Sequence, residues 1–174
     1  MTPSRWCDFD ELAAIVSGQF HLGPASDHGP AHWKRVEQNG RWLASQTGAD
    51  PLVTRLFAWF HDSKRENECH DPDHGSRGAA YAASLRGTLF DLDEPAFDSL
   101  IHACIWHTDG HHSADPTIGT CWDSDRLDLG RVGMIPSSGF MSTAFGREVA
   151  DAGSFFPFLE RIRISTEAYR QTDG

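Results

Sequence analysis

The 174-residue chain carries 15 Lys and Arg against 25 Asp and Glu, a formal net charge of −10, with 39% hydrophobic and 23% charged residues. This is the composition of a globular domain long enough to bury one core, and its acidity argues against stable binding to a nucleic-acid backbone. No apolar stretch approaches the roughly 20 residues of a membrane span, and no apolar run follows Arg5 as in a secretory signal, so the cytoplasm is the expected compartment.

Helices joined by polar turns are expected along the chain. Asp8 caps a helix over 8–17, with Phe9, Leu12, Ala13 and Val16 at helical spacing. Pro30 opens a second over 30–47, with Val36, Leu43 and Ala44 inside and Gly48 as its stop. A third, over 50–62, carries the apolar stripe Leu52, Val53, Leu56, Phe57 and Phe60. The Gly- and Ala-rich helix over 73–86 is built for close packing. The next, over 94–107, has Pro95 near its start and Phe97, Leu100, Ile101, Cys104 and Ile105 inside. Helices over 123–132, 140–150 and 154–170 complete the set, while 63–72 and 108–120 read as polar loops. No run has period two, so an all-α helical bundle is the expected architecture.

The four cysteines, at 7, 69, 104 and 121, form no C-x-x-C pair and are expected to be reduced thiols. Histidine is the unusual residue: there are ten, and imidazole is the commonest protein metal ligand. His61-Asp62 ends the apolar helix, and His61 follows the face of Phe57. Burying an imidazole beside a carboxylate is costly unless both are bonded to something, and a shared cation would serve. His32 lies one turn before Val36 on an apolar face. Asp123, Asp125 and Asp128 repel one another unless a cation or an arginine intervenes; the plainer reading is a solvated acidic helix start.

Three segments together carry a resemblance. His32-Trp33-Lys34-Arg35-Val36, the apolar run Leu56-Phe57-Ala58-Trp59-Phe60 into His61-Asp62, and Asp125-Arg126-Leu127-Asp128 resemble, in that order, the motifs of the HD superfamily of metal-dependent phosphohydrolases. The resemblance covers about residues 26–133. It implies one HD-type domain over 1–174, a metal-binding core over 26–133, and C-terminal helices over 138–170 packed on that core. It also implies His32, His61, Asp62 and Asp125 as ligands of a divalent ion. Two neutral imidazoles and two carboxylates suit Mn, Fe, Ni, Co or Zn, with Mg also open. A water on such an ion becomes a competent nucleophile near neutral pH. The expected substrate is a small phosphomonoester or phosphodiester, foremost a nucleotide. Where many members carry an Asp three residues before the first ligand, this chain has Gly29, with Asp27 or His28 as the substitute.

His74 and His107 are candidates for a second metal or for substrate phosphate, as in the two-metal branches; His111 and His112 read as loop residues. Glu66 is the candidate general acid/base, in a catalytic set with Asp62 and Lys64. Arg35, Arg65 and Arg77 are the candidate phosphate contacts. Trp33, Trp59, Trp106 and Trp122 flank these positions, where aromatic side chains more often form core than a base-stacking wall. The His richness keeps open a di-iron oxygenase of the same superfamily, which metal content would separate from a hydrolase. A non-catalytic ligand-sensing domain is the third reading, opposed by the intact ligand set.

Overall fold

The computed structural model describes residues 5–172, with side chains as far as residue 166. Eight α-helices occur among the described residues: α1 (Phe9–Gly18), α2 (Pro30–Thr47), α3 (Pro51–Phe60), α4 (His74–Leu85), α5 (Glu94–Trp106), α6 (Pro116–Arg126), α7 (Ala144–Ala152) and α8 (Leu159–Thr172). One chemical device starts most of them: a side-chain oxygen at the N-cap accepting the first free amides. Asp8 caps α1, Asp50 caps α3, Asp93 caps α5, Asp115 caps α6 and Thr143 caps α7. Gly48 ends α2 at φ +72°, the left-handed conformation expected of a terminating glycine.

The bundle is organised around α3. Leu56 through Phe60 are all buried, because α3 is covered by α2, α5 and α6, and less extensively by α1 and α4. Its C-terminus therefore delivers His61 and Asp62 into the interior rather than to solvent. The Gly-rich face of α4 makes the expected close approach: a Cβ on Gly78 would stand 2.3 Å from the Phe60 carbonyl oxygen, and one on Gly75 2.3 Å from that of Cys104. Backbone cannot yield as a side-chain tip does. Gly78→Ala is accordingly expected to cost about 1–3 kcal/mol and to shift His74 away from its neighbours, read as a lower denaturant midpoint at unchanged m-value. A smaller second core of Leu43, Phe145, Val149, Phe155 and Ile162 seats α7 and α8 on α2.

The sequence reading needs four adjustments. The helix expected over 123–132 begins at Pro116 and ends at Arg126, followed by a 3-10 turn, Leu129–Val132. The second half of the expected loop 108–120 is thus helical. Thr117, Ile118 and Thr120 are weak helix formers, and tertiary burial overrides them; the readable signal was Asp115-Pro116. The expected helix over 140–150 is displaced to Ala144–Ala152, and that over 154–170 starts after a 3-10 turn, Phe156–Phe158. Two two-residue strands, β1 (Trp6–Cys7) and β2 (Phe90–Asp91), pair antiparallel and are too short to leave a period in sequence. All four cysteines are free, with Cys104 and Cys121 buried. No helix of the described residues is long and apolar enough to cross a membrane.

Candidate metal centre

Five elements deliver one cluster. His32 comes from the first turns of α2, His61 and Asp62 from the end of α3, His74 from the first residue of α4, His107 from the end of α5, and Asp125 from the last turn of α6. His32, His61, Asp62, His74 and His107 are buried, and Asp125 is partly so.

The histidines are oriented by what their other nitrogen does. His61 Nδ1 donates to the Phe57 and Ala58 carbonyls at 3.2 and 3.1 Å. His107 Nδ1 donates to the Cys104 carbonyl at 2.7 Å, and His74 Nδ1 to that of Asp71. His32 Nδ1 donates to Asp128 Oδ2 at 2.7 Å. A carbonyl or carboxylate oxygen only accepts, so each neutral ring carries its proton on Nδ1 and turns an Nε2 lone pair inward.

These lone pairs meet in two groups on the two oxygens of Asp62. In the first, His32 Nε2 and His61 Nε2 are 3.1 Å apart and each is 3.7 Å from Asp62 Oδ2. Asp125 Oδ1 joins them at 3.2 Å from His32 Nε2 and 3.8 Å from His61 Nε2. In the second, His74 Nε2 and His107 Nε2 are 2.9 Å apart and lie 3.2 and 3.6 Å from Asp62 Oδ1. Lone pair facing lone pair in a dry interior is unfavourable without a positive charge between them. Ligand atoms about 2.1 Å from a metal are about 3.0–3.4 Å apart at octahedral or tetrahedral angles, which is close to the spacing found. The buried groups fit a divalent metal.

The surrounding residues complete the electrostatics. Burial would raise the Asp62 carboxyl, but the surrounding imidazoles, His61 first and then His107, His28 and His74, hold it well below the usual carboxylate range. Asp125 is likewise held down, against burial, by His32 and the neighbouring imidazoles. Burial drives His61 to about 3, leaving its ring neutral and ready to ligate. His32 and His107 move the other way: burial opposes, but Asp125 and Asp128 raise the first and Asp62 raises the second above the ordinary 6.5. A proton therefore competes with a metal at those two rings. Affinity for a divalent ion is expected to weaken as pH falls through these raised values, checked by metal titrations across pH.

Asp128 binds His32 with one oxygen and takes Arg35 Nε on the other at 2.8 Å. It orients the His32 ring from its Nδ1 side, and Asp128→Asn is expected to weaken metal binding about 10–100-fold, measured by competition with a chromogenic chelator. His28, one residue before Gly29, donates to Asp62 Oδ2 at 2.9 Å and is itself fixed by Trp33 Nε1 on its carbonyl at 2.8 Å. Asp27 touches this region only through its carbonyl, which accepts from Arg131.

Of the candidate cations, the structure brings only Arg65 into the cluster: its Nη1 is 3.5 Å from Asp62 Oδ1 and 3.3 Å from His74 Nε2. Arg35 reaches the site through Asp128. Arg77 clamps both oxygens of Asp71 at 2.7 Å and holds the Lys64 carbonyl, fixing the loop 63–72. Lys64 turns to Gln19 and lies over the Tyr81 ring. Glu66 also stands outside the cluster: its side chain is 64% exposed and pairs with Arg77 at 3.6 Å. The sequence marks Glu66 and Lys64 as neighbours of the doublet, but the turn after α3 aims them away from it. Trp33, Trp59 and Trp122 are core, while Trp106 is half exposed.

A cavity of about 500 Å³ opens on the cluster. Its lining includes the polar residues His28, Asp62, His107 and Asp125, the cations Arg65 and Arg131, and the apolar residues Met134, Ile135 and Phe140. Neither Arg131 nor these apolar residues were singled out in the sequence; exposed Met134-Ile135 in a polar stretch was the available signal.

An all-α bundle with this buried His/Asp cluster has the fold of the HD superfamily. No family model and no curated protein matches the chain. A crystal structure of a predicted HD superfamily hydrolase from an uncultured Thermotogales bacterium superposes with a TM-score of 0.67 over 97% of this chain and 94% of that one, at 25% identity. The resemblance read in the sequence and the all-α class are both borne out, and the likeness supports a metal-dependent hydrolase.

Proposed function

We propose that the protein is a metal-dependent phosphohydrolase that cleaves a small phosphomonoester or phosphodiester, foremost a nucleotide, with water as the nucleophile. His32, His61, Asp62 and Asp125 would hold one divalent ion; Asp62, His74 and His107 would hold a second. The observation that carries the reading is the convergence of four imidazole Nε2 atoms on the two oxygens of Asp62 beside an open cavity. The chemistry such an ion would supply at these residues is polarisation of phosphoryl oxygens and a lowered pKa for a bound water. Arg65, held by Asp62 and His74, offers a guanidinium to the phosphoryl charge. His28, partly exposed and bonded to Asp62, lines the same cavity within reach of a substrate. With Glu66 paired to Arg77, its assignment as acid/base would require it to swing inward.

The test is metal analysis of the purified protein, followed by a phosphoester screen with Mn, Fe, Co, Ni, Zn and Mg. Single turnover in ¹⁸O-water is expected to place the label directly in the released phosphate or monoester; a trapped phospho-enzyme would refute the mechanism. The second histidine group also favours one other reading, a di-iron oxygenase, since two redox-active irons need ligands beyond the first four. Inactivity on every phosphoester, with substrate-dependent dioxygen uptake by iron-loaded protein, would select it.

A further inference from the structure

Part of the lining of the cavity at the metal cluster is apolar and exposed. Met134 is 57% exposed, Ile135 88% and Phe140 58%. Single exposed apolar residues need no explanation, but several side by side at a cavity do. These three line the same cavity as His28, Asp62 and Asp125.

The segment that carries them is pinned. Arg131 Nε donates to the Asp27 carbonyl at 2.8 Å and its Nη1 to that of Asp128 at 3.2 Å. Arg126 Nη1 donates to the His111 and Phe140 carbonyls at 2.8 and 2.6 Å, and its Nη2 to that of Gly110. His112 Nε2 donates to the Gly139 carbonyl at 2.9 Å. The segment 129–141 is thereby fastened near both its ends, at Arg131 and at Gly139–Phe140, to the two loops that border the cavity. A binding segment tied at both ends loses less entropy on closing over a ligand than a free one.

We propose that this segment, 129–141, is the specificity lip of the site and selects phosphoesters whose organic part presents a flat apolar face, over phosphates of plain polyols. The proposal rests on the phosphohydrolase reading above. A ligand with a charged head on the polar residues and an apolar body against Met134, Ile135 and Phe140 matches this mixed polar and apolar lining, the usual construction of a small-molecule site. The polar residues and the lip line one cavity, which favours substrate over a second copy of the chain as the occupant. A nucleobase and a simple aryl group share the required chemistry.

The experiment compares 1-naphthyl phosphate and the nucleoside 5′-monophosphates with ribose 5-phosphate and glycerol 3-phosphate, using the wild type, Ile135→Ser and Phe140→Ser. Both positions are exposed, so neither change threatens folding. The wild type is expected to favour the first group by about tenfold or more in kcat/KM, the scale of discrimination by apolar contact. Each variant is expected to raise KM for that group about 5–10-fold, with kcat within about twofold, while metal content and KM for ribose 5-phosphate stay unchanged. A loss confined to naphthyl phosphate or to the nucleotides still supports the lip and identifies the body it takes. Equal losses on ribose 5-phosphate, no change on any substrate, or a changed oligomeric state by light scattering without a change in KM would each overturn the proposal. If polyol phosphates are cleaved as well as the others, the hydrolase reading stands and the lip alone is lost. If no phosphoester is cleaved, the two fall together.

Discussion

Asp62→Asn is expected to leave a folded protein that no longer retains divalent metal and turns over at least about 10³-fold more slowly. The magnitude follows from what the cation supplies, a water whose pKa falls from 15.7 to about 7. Asp62 is the one residue whose two oxygens face both histidine groups, with Oδ2 at 3.7 Å from His32 and His61, and Oδ1 at 3.2 and 3.6 Å from His74 and His107. The amide keeps the volume and one accepting oxygen, so folding and ligation are separated. Asp62→Ala would add a cavity and leave Arg65 buried without its carboxylate, a penalty unrelated to metal. Metal analysis paired with thermal melting reads both quantities. Full metal occupancy in folded Asp62→Asn would contradict the ligand assignment, whereas His111→Ala should leave metal content unchanged.

His107→Gln is expected to lower bound metal from two ions per chain to one and to reduce kcat about 10²–10³-fold, with each tenfold costing about 1.4 kcal/mol of barrier. The first group, His32, His61, Asp62 and Asp125, does not use His107 as a member. Among the described residues, the second group consists of Asp62, His74 and His107, whose ligand atoms lie within reach of one ion. Glutamine retains an amide donor for the Cys104 carbonyl, which His107 Nδ1 satisfies at 2.7 Å, so a change in metal count reports ligation rather than an orphaned backbone group. A wild type that saturates with one ion, or a variant that still binds two, would remove the second metal from the proposal.

Several parts of this molecule are local in origin and could be read along the chain. Asp8, Asp50 and Asp93 cap helices because a carboxylate two or three residues before free amides accepts from them wherever the chain goes next. Gly48 ends α2 because a left-handed residue carries no penalty without Cβ. The apolar run into His61-Asp62 implies burial of the doublet, and the order of His32, doublet and Asp125 carries the superfamily resemblance. The glycines of 73–86 announced a close helix contact, although not that they meet the carbonyls of Phe60 and Cys104.

Tertiary structure decided the division of labour among residues that look alike in sequence. Asp123, Asp125 and Asp128 lie within six residues, yet Asp123 accepts from the Ser142 and Thr143 amides to anchor α7, Asp125 faces His32, and Asp128 orients the same ring from behind. Three candidate arginines have the same charge, but only Arg65 reaches the cluster, because Arg77 is committed to Asp71 and Arg35 to Asp128. Likewise, Glu66 follows the doublet by four residues but is turned outward beyond the end of α3. Composition, capping and hydrophobic period act over one or two helical turns and are written in the chain. Which oxygen or nitrogen turns inward depends on contacts between helices 30 to 100 residues apart, and these exist only once the bundle has closed.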